Sequence, residues 1–484
     1  MSLAHKNIVP RTNGGQESTD PREVVLPKDA PWVAAERFLT DRYTRGDTRL
    51  LHYHRGAFYS WTGTHYRELI PETLQRELYQ FLAPTVVITK KGEIEPFNPN
   101  KTKIGAIEHA LQRLVLIDAK VDTPCWLGQG HAPAKDVIVV QNGILNLRTR
   151  TLAQHSPLLF TTTCLPCDYS ASAKCPLFDK FLDELWAEDR EARDALQEIF
   201  GYLLTPDTSQ QRIFLIIGPK RAGKGTLVHL LRELLGADNV TFQRLASLAG
   251  EFGCWPLIDK SLAVVADARL KTTDTHRLTE TLLSISGGDP QTINRKYASF
   301  WSGRLNVRFL ITTNVLPVLA DASGTIATRF IVLRLTESFY GKEDRELASK
   351  LTKELSGVLN WSLAGLERLE RRGYFLQPAS GAEHIQRMAD LAAPIATFAR
   401  EWCEVGPGRS IKVKELYRWY QAWSRETGQK PQPAHLFGKE LHDACPSLVA
   451  MGHGHRRTYV GIGLSATGSQ LLAESLQVEA KSST

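Results

Sequence analysis

The sequence has no long apolar run and few cysteines. No stretch of its 484 residues reaches the roughly 18 apolar residues that a membrane-spanning helix needs. Residues 1–25 also lack the apolar core of a signal peptide. Seven cysteines in so long a chain are too few for a disulfide scaffold. These absences exclude an embedded membrane protein and a disulfide-rich secreted domain, and they predict a cytoplasmic protein without a membrane partner.

A strong excess of one charge is also missing. Lys and Arg number 59 against 52 Asp and Glu, which gives a formal net charge of +7 and a pI near 8.9. This mild excess permits a polyanionic partner without demonstrating one. With 42% hydrophobic and 23% charged residues, the composition is that of a globular protein, and the length predicts about three domains.

The most informative stretch is RIFLIIGPKRAGKGTLVHLLRELL, residues 212–235. Its apolar run predicts a buried strand, and the leucines spaced three and four apart predict a helix after it. Between them, Gly218, Gly223 and Lys224 have G-x-x-x-x-G-K spacing. In this pattern backbone N–H groups surround phosphate oxygens and the lysine reaches the terminal phosphates. We expect ATP with Mg²⁺ to bind at Gly218, Pro219, Ala222, Gly223, Lys224, Gly225 and Thr226.

One position departs from the usual pattern. The residue after Lys224 is Gly225, not the Ser or Thr whose hydroxyl would coordinate Mg²⁺ directly. Thr226 follows. Either the metal is held through water with Thr226 nearby, or Thr226 contacts another phosphate, and the sequence leaves both open.

Three later strand-like segments are each flanked by a polar residue that could act on ATP or Mg²⁺. SLAVVAD predicts a buried strand ending in Asp267, where a carboxylate can reach Mg²⁺. NVRFLITTN ends in Asn314, which can orient the attacking water or sense the nucleotide; a plain turn residue is the alternative. Arg329 precedes another strand-like run, and a surface charge is the alternative to a catalytic role there. No glutamate follows Asp267, so the general base is unassigned.

Residues 282–305, LLSISGGDPQTINRKYASFWSGRL, lie between the strands that end in Asp267 and Asn314. They predict a helix end, a Gly-Gly-Asp-Pro break and a hairpin that carries Arg295, Lys296 and Tyr297. A basic and aromatic tip suits phosphate contact and base stacking on single-stranded DNA, and a solvated loop is the alternative.

Composition and pattern divide the chain into six segments. We expect a disordered arm at 1–30, an α+β domain at 31–175, a helical linker at 176–205, an ATPase domain at 206–378, a winged-helix-like domain at 379–466 and a polar tail at 467–484.

Local patterns within these segments give further predictions. We expect one hairpin over LHYHRGAFYSWTGTHYREL, turning at Thr62-Gly63, and another over DVIVVQNGILNLRTRTL, turning at Asn142-Gly143. GYFLQPASGAEH is interpreted as a linker. Residues 391–466 hold ten Lys or Arg against six Asp or Glu, which favours duplex DNA binding, with Arg456 and Arg457 at the wing.

Two sets of residues suggest metal sites, although a packing role is favoured for the first and irregular spacing weakens the second. The first comprises His52, His54 and His65, and the second comprises His155, Cys164, Cys167 and Cys175. Asp118 and Asp122 are too weak a case for two-metal nucleotidyl transfer, so primase activity is not predicted.

The chain resembles the superfamily 3 helicases, specifically the phage and plasmid primase-helicase family related to the satellite-phage and poxvirus replicative enzymes. The resemblance covers residues 32–464. Its most specific segments are GPKRAGKGT, VVADARL, SISGGDPQTINRKY, ITTNVLP, DASGTIATRF and the C-terminal LYRWYQAW, FGKEL and YVGIGL. It implies an α/β fold with an AAA+-like P-loop ATPase core, an α+β N-terminal domain and a C-terminal winged helix.

The resemblance also implies residue roles. Lys224 would contact the β- and γ-phosphates, Asp267 would hold Mg²⁺, Asn314 would act as a sensor, and Arg329 would be an arginine finger acting on the neighbouring subunit.

Arg295 and Lys296 match the hairpin that grips single-stranded DNA in this family, which forms hexameric rings and moves 3′ to 5′. The implied partners are single-stranded and forked DNA, further copies of the chain, and a separate primase or polymerase.

The leading hypothesis is therefore an ATP-dependent replicative DNA helicase of a phage, plasmid or integrated element. A nucleotide kinase is one alternative, because G-K-G-T endings occur in such enzymes, but a kinase does not need a basic hairpin or a winged helix. An ATP-controlled initiator that binds an origin without unwinding it is the other.

Overall fold

A computed structural model of the protein describes residues 25–266, 275–296, 300–321 and 324–466. The chain divides into two units, Met1–Val121 and Asp122–Thr484. Across the described ranges, no helix is both long and apolar enough to cross a bilayer. The predicted tail, most of the predicted arm, Asp267 and Tyr297 lie outside the described residues.

The first unit packs three helices and several short strands around one apolar core, with Phe38, Leu78 and Ile107 among its buried residues. Proline at the start of two of the helices fits the unbonded first turn, and the Asn100 side chain accepts a hydrogen bond from the Lys103 backbone N–H to cap the third. The helices are α1 Pro31–Tyr43, α2 Pro71–Leu82 and α3 Lys101–Leu114. The strands are β1 Val25–Pro27, β2 Thr44–Arg45, β3 Thr48–Arg49, β4 Leu51–His54, β5 Ala57–Trp61, β6 Tyr66–Leu69, β7 Val86–Ile88 and β8 Ile94–Pro96.

The first hairpin prediction was incomplete, because β4, β5 and β6 form a three-stranded antiparallel sheet. The additional turn is at Arg55-Gly56, where φ is 45° and 85°. Both angles lie in the left-handed region required by a tight two-residue turn, which arginine seldom adopts. The turn of the second hairpin lies one residue before the predicted position, since Val140 pairs with Gly143 and Gln141-Asn142 forms the loop.

The second unit contains the remaining elements. Its helices are α4 Pro176–Leu185, α5 Arg190–Leu203, α6 Lys224–Leu235, α7 Leu245–Leu248, α8 Thr275–Gly287, α9 Thr325–Thr328, α10 Leu347–Thr352, α11 Leu355–Arg372, α12 Ala379–Ala392, α13 Pro394–Trp402, α14 Val413–Glu426 and α15 Ala434–Ala444. Its strands are β9 Cys125–Trp126, β10 Val137–Val140, β11 Gly143–Asn146, β12 Leu152–Ala153, β13 Leu159–Phe160, β14 Ile213–Ile217, β15 Val240–Gln243, β16 Leu262–Ala266, β17 Gln291–Ile293, β18 Trp301–Gly303, β19 Arg308–Thr313, β20 Phe330–Arg334, β21 Cys403–Lys412, β22 Val449–Met451 and β23 Thr458–Leu464.

A five-stranded parallel sheet forms the centre of this unit, in the order β15-β16-β19-β14-β20. Alternate residues of its strands face two different cores. Phe214 and Ile216 pack on the side of α4, α5, α6 and α11, whereas Ile213 and Leu215 pack on the side of α7, α8 and α12. Burial on both faces explains why β14 is a continuous apolar run and why every residue of β19 is buried. All five strands end at one edge of the sheet.

The linker prediction for GYFLQPASGAEH was wrong for its second half. Ala379 begins helix α12, which packs against β20 and α9. Gln377 pairs with the edge strand: its side chain accepts from the Val332 backbone N–H and donates to the Val332 carbonyl, both at 2.9 Å. This polar, Gly- and Pro-containing segment therefore closes a sheet edge, which its composition did not predict.

Helices α13, α14 and α15 pack with the antiparallel sheet β21-β23-β22 around an aromatic core. Phe398, Tyr420, Trp423 and Phe437 are among its fully buried side chains. These aromatics form the core and are not exposed for base stacking.

Candidate functional site

The site is built where strand β14 meets helix α6. Every residue of β14 is buried, and its neighbours are β19 on one side and β20 on the other. Residues Gly218 to Gly223, the glycine-rich loop, connect β14 to α6, which begins at Lys224. The strand, loop and helix predicted from residues 212–235 are thus confirmed.

Two glycines in this loop have no room for a side chain. A Cβ at Gly218 would lie 2.7 Å from both the Leu335 Cβ and the Leu335 carbonyl oxygen. Gly223 has a φ of 85°, and a Cβ there would lie 2.9 Å from the Leu185 Cδ2. Gly218 is therefore required by close approach and Gly223 by both its backbone angle and its surroundings.

Lys224 and Asn314 meet at the mouth of the loop. The Lys224 Nζ donates to the Gly218 carbonyl at 2.7 Å, to the Pro219 carbonyl at 2.6 Å and to the Asn314 Oδ1 at 2.8 Å. The parallel register explains the last contact: Thr313 pairs with Ile217, so the next residue on each strand emerges at the same edge. Two residues that are 90 positions apart thereby share one site.

The first turn of α6 is suited to an anion. Gly223 occupies the position before the helix and no side chain caps it. The first N–H groups of a helix have no partner within it, and the helix dipole places positive charge at this end. Together with the Lys224 ammonium, this terminus can hold phosphate oxygens.

A cleft of about 550 Å³ lies in front of Lys224. Residues after β20 form one wall, because this segment returns across the glycine-rich loop. The Ser338 Oγ donates to the Lys220 carbonyl at 2.8 Å, and the Phe339 backbone N–H donates to the Arg221 carbonyl at 2.9 Å. Phe339, Lys342 and Arg345 consequently line the cleft, which sequence reasoning did not anticipate.

Another part of the cleft wall comes from α4, through Phe181 and Glu184. The Glu354 carboxylate holds the start of that helix, accepting from the backbone N–H groups of Leu177 and Phe178 at 3.1 and 3.0 Å. The residues predicted to form a helical linker therefore contribute directly to the cleft.

Of the two residues predicted to hold Mg²⁺, Thr226 is among the described residues and Asp267 is not. Thr226 lines the cleft, half-buried. Strand β16 runs parallel to β19, and its last residue, Ala266, pairs with Thr312. Asp267 lies outside the described residues, so its predicted contact with Mg²⁺ stays a prediction.

Arg329 lies at the amino edge of the sheet, where the parallel strands begin. It precedes β20, and its carbonyl accepts from the Ile213 N–H, at the first residue of β14, at 2.8 Å. Since β14 has five residues and a strand rises about 3.3 Å per residue, roughly 16 Å of strand separates this edge from the loop. Within one chain, Arg329 therefore lies where the strands of the sheet begin and Lys224 lies where they end.

A second arginine accompanies Arg329. The Arg212 guanidinium donates to the Thr328 carbonyl, and burial, followed by the charge of Arg329, lowers the pKa of Arg212. In the described part of the chain, neither arginine forms an ion pair with a carboxylate. This edge thus carries two neighbouring positive charges that no described acidic side chain neutralises.

The predicted hairpin is present as β17 and β18, which pair antiparallel. Lys296, near its tip, is exposed, whereas Arg295 is 7% exposed. The Asn294 Nδ2 donates to the Glu251 Oε1 at 3.0 Å and so ties the hairpin to the loop before β16. Tyr297 lies outside the described residues. At the predicted wing, Arg456 and Arg457 are both exposed between β22 and β23.

The two alternative metal sites do not form among the residues that the structure describes, where no group of three or more His, Cys, Asp or Glu can hold a metal. His54 Nε2 contacts the Val121 carbonyl at 3.0 Å, and His155 Nε2 contacts the Gln141 carbonyl at 3.0 Å. Burial is the main cause that raises the pKa of Cys167 and Cys175 to about 12, which keeps these thiols protonated.

Two family models match this chain. Residues 36–187 match a family described as D5 N terminal like, and residues 216–329 match a family of unknown function, DUF5906. This pairing is the architecture of the phage and plasmid primase-helicases, a replication-associated class. The second match begins within β14 and ends at Arg329, so it spans the glycine-rich loop, Asn314 and both edges of the sheet.

Solved structures of the C-terminal region of NrS-1 are among those to which this chain is similar. Three of them share 12%, 10% and 11% sequence identity with this chain, with TM-scores of 0.49, 0.47 and 0.44. Each alignment covers 90% of this chain and 100% of the NrS-1 chain.

Proposed function

We propose that this protein is an ATP-dependent DNA helicase of a phage, plasmid or integrated element, which hydrolyses ATP between the subunits of a ring and moves along single-stranded DNA. The observation that carries the proposal is the Lys224 site. Its ammonium is held by two loop carbonyls and by Asn314, at the uncapped end of α6 and in front of a cleft. The replication-associated architecture of the matched families supports DNA as the partner.

In this proposal the Lys224 ammonium binds phosphate oxygens of ATP. Its described contacts include two backbone carbonyls and the Asn314 amide oxygen. Phosphate oxygens accept stronger, charge-assisted hydrogen bonds than these neutral groups do, which favours ATP binding. Mg²⁺, held by Thr226 and Asp267, would neutralise charge on the β- and γ-phosphates.

Asn314 is proposed to report on the terminal phosphate. Its Oδ1 accepts from Lys224, so the Nδ2 of the same amide would be the atom that donates to a phosphate oxygen. Loss of the γ-phosphate would change the partners of both side chains at once. Strand β19 carries such a change into the sheet beside β14.

Arg329 is proposed to act on the nucleotide of the next subunit. Its position across the sheet from Lys224 keeps it away from the nucleotide of its own chain, while its charge has no described carboxylate partner. A contact from the amino edge of one sheet to the cleft of the next is head-to-tail, and repeated head-to-tail contacts close into a ring. The arginine then stabilises negative charge that develops during hydrolysis.

The DNA contacts are proposed to come from two places. Lys296, exposed at the hairpin, contacts the single-strand backbone. The α13–α15 unit with its sheet acts as a winged helix on duplex or forked DNA, using Arg456 and Arg457.

The test is ATP hydrolysis with and without single-stranded DNA, together with unwinding of a forked duplex. We expect DNA to stimulate hydrolysis and Lys224→Ala to abolish both activities. Lys260→Ala is the matched control, because Lys260 is also half-buried and donates to a backbone carbonyl, that of Asp238, away from the cleft. DNA-stimulated hydrolysis without unwinding would favour the initiator, and phosphoryl transfer to nucleotides independent of DNA would favour the kinase.

A further inference from the structure

Gln211 stands between the arginine at the amino edge of the sheet and the helix that leads into the hairpin. The Arg329 Nη1 donates to the Gln211 Oε1, and lies 3.5 Å from the Gln211 carbonyl oxygen as well. On its other side, the Gln211 Nε2 donates to the Gly287 carbonyl at 3.1 Å. One amide thus contacts two elements that are far apart in the sequence.

The orientation of this amide is fixed by its partners. A guanidinium can only donate and a carbonyl can only accept, so only one of the two amide orientations satisfies both contacts. Reversing the amide would place its NH₂ against Arg329 and its oxygen against the Gly287 carbonyl. Reversal of the amide would therefore break both hydrogen bonds at once, and the contact with Arg329 favours the orientation that also holds the Gly287 carbonyl.

The Gly287 carbonyl belongs to the last residue of α8, where helix carbonyls have no partner within the helix. Gln211 caps that end. Only three residues separate Gly287 from Gln291, the first residue of β17, so the capped end of α8 is also the base of the hairpin that carries Lys296.

Gln211 is itself held in an unusual backbone conformation. Its φ is 53°, in the left-handed region, and its N–H donates to the Thr208 carbonyl at 3.0 Å. A glutamine pays a steric cost in this conformation that glycine or asparagine would largely avoid. The backbone angle places the side chain so that it lies between Arg329 and α8.

We propose that Gln211 is a positioning residue that links Arg329 to the carboxyl end of α8 and so couples nucleotide binding at the subunit interface to the DNA hairpin. The inference rests on the proposed function. When Arg329 binds a phosphate of the neighbouring subunit, it no longer donates to the Gln211 Oε1. The Gln211 amide is then free to reorient, which weakens its hydrogen bond to the Gly287 carbonyl. The base of the hairpin then differs between nucleotide states.

Two variants of the full chain test the two contacts: the first removes one of them and the second removes both. Gln211→Glu keeps an acceptor for Arg329 but has no donor for the Gly287 carbonyl. Gln211→Asn tolerates the positive φ and is one methylene shorter, so it reaches neither partner. Gln210→Asn is the control: Gln210 is the adjacent glutamine, and its Nε2 donates to the Gly373 carbonyl at 3.0 Å in an analogous contact.

The readout is the ratio of the single-stranded DNA Kd without and with a non-hydrolysable ATP analogue, which measures coupling between the two sites. Couplings of this kind are typically about fivefold or more. We expect Gln211→Glu and Gln211→Asn to bring the ratio toward one, and Gln210→Asn to keep the wild-type ratio. Unchanged thermal unfolding of the variants shows that the loss of coupling is not a loss of fold.

Wild-type coupling in folded Gln211→Glu and Gln211→Asn proteins would overturn the inference, as would a wild-type ratio of one in a protein whose ATP hydrolysis responds to DNA. If Gln211→Glu does not fold, Gln211→Asn decides alone. Absence of DNA-stimulated hydrolysis in the wild type is a different outcome, because it refutes the proposed helicase activity itself.

Discussion

Replacing Gly223 by alanine should distort the glycine-rich loop and weaken ATP binding at least tenfold. A left-handed conformation such as φ 85° costs an L-residue about 1–2 kcal/mol. The new methyl group would also lie 2.9 Å from the Leu185 Cδ2 and 3.3 Å from the Phe181 Cζ. Overpacking of this kind costs about 1–3 kcal/mol. The total of about 2–5 kcal/mol exceeds the 1.4 kcal/mol that corresponds to a tenfold change in affinity.

Gly225→Ala is the matched comparison within the same predicted nucleotide site, because it adds the same methyl group without the backbone strain or the close contacts. Gly225 lies two residues further on, inside α6, and a Cβ there would meet no atom within 4 Å. Alanine should also favour the helix by up to about 1 kcal/mol. Titration with a fluorescent ATP analogue measures affinity, and thermal unfolding measures stability. Gly223→Ala protein that binds the analogue as tightly as the wild type would refute the structural argument for this loop.

Three further predictions follow from individual residues. A serine at position 225 (Gly225→Ser) has room for its side chain and should lower the Mg²⁺ concentration needed for ATP binding. A Mg²⁺ titration measures this concentration, and an unchanged value would contradict a direct metal contact at this position. Lys296→Ala should weaken single-stranded DNA binding in a filter or anisotropy assay while ATP affinity stays constant, and loss of ATP binding would instead indicate a packing role. Burial lowers the pKa of His52 to about 4, so the unfolded chain takes up a proton that the folded chain excludes. The free energy of unfolding should therefore fall by up to about 3 kcal/mol as the pH drops from 6.5 toward 4, and His52→Phe should flatten this dependence in denaturant titrations.

The strand, loop and helix around Lys224 could be predicted because their determinants are local. The apolar run of β14, the glycine spacing and the leucines of α6 are all within one short stretch. The buried strand β19 was predictable for the same reason. Its contribution to the site was not, since the contact between Asn314 and Lys224 depends on which strand lies beside β14.

Other parts of the site depend on long-range packing that leaves no local pattern. The return of Ser338 and Phe339 across the loop rests on backbone hydrogen-bond acceptors, which every sequence possesses. Gln211 looks like an ordinary polar residue before a strand, and its two partners are 76 and 118 residues away. The interpretation of residues 373–384 as a linker was wrong in its second half because glycine and proline indicate a break in structure but not which surface the chain then covers.

Mixing two inactive variants tests the central claim, ATP hydrolysis shared between subunits, most directly. Lys224→Ala removes the nucleotide lysine, and Arg329→Ala removes the arginine proposed to act on the neighbouring subunit. Alone, each should hydrolyse ATP poorly, and Arg329→Ala should still bind it. In a ring assembled from equal amounts of dissociated subunits, about a quarter of the interfaces combine an intact Lys224 with an intact Arg329. We predict DNA-stimulated ATP hydrolysis at about that fraction of the wild-type rate. A mixture no more active than the two variants measured separately would contradict the intersubunit site.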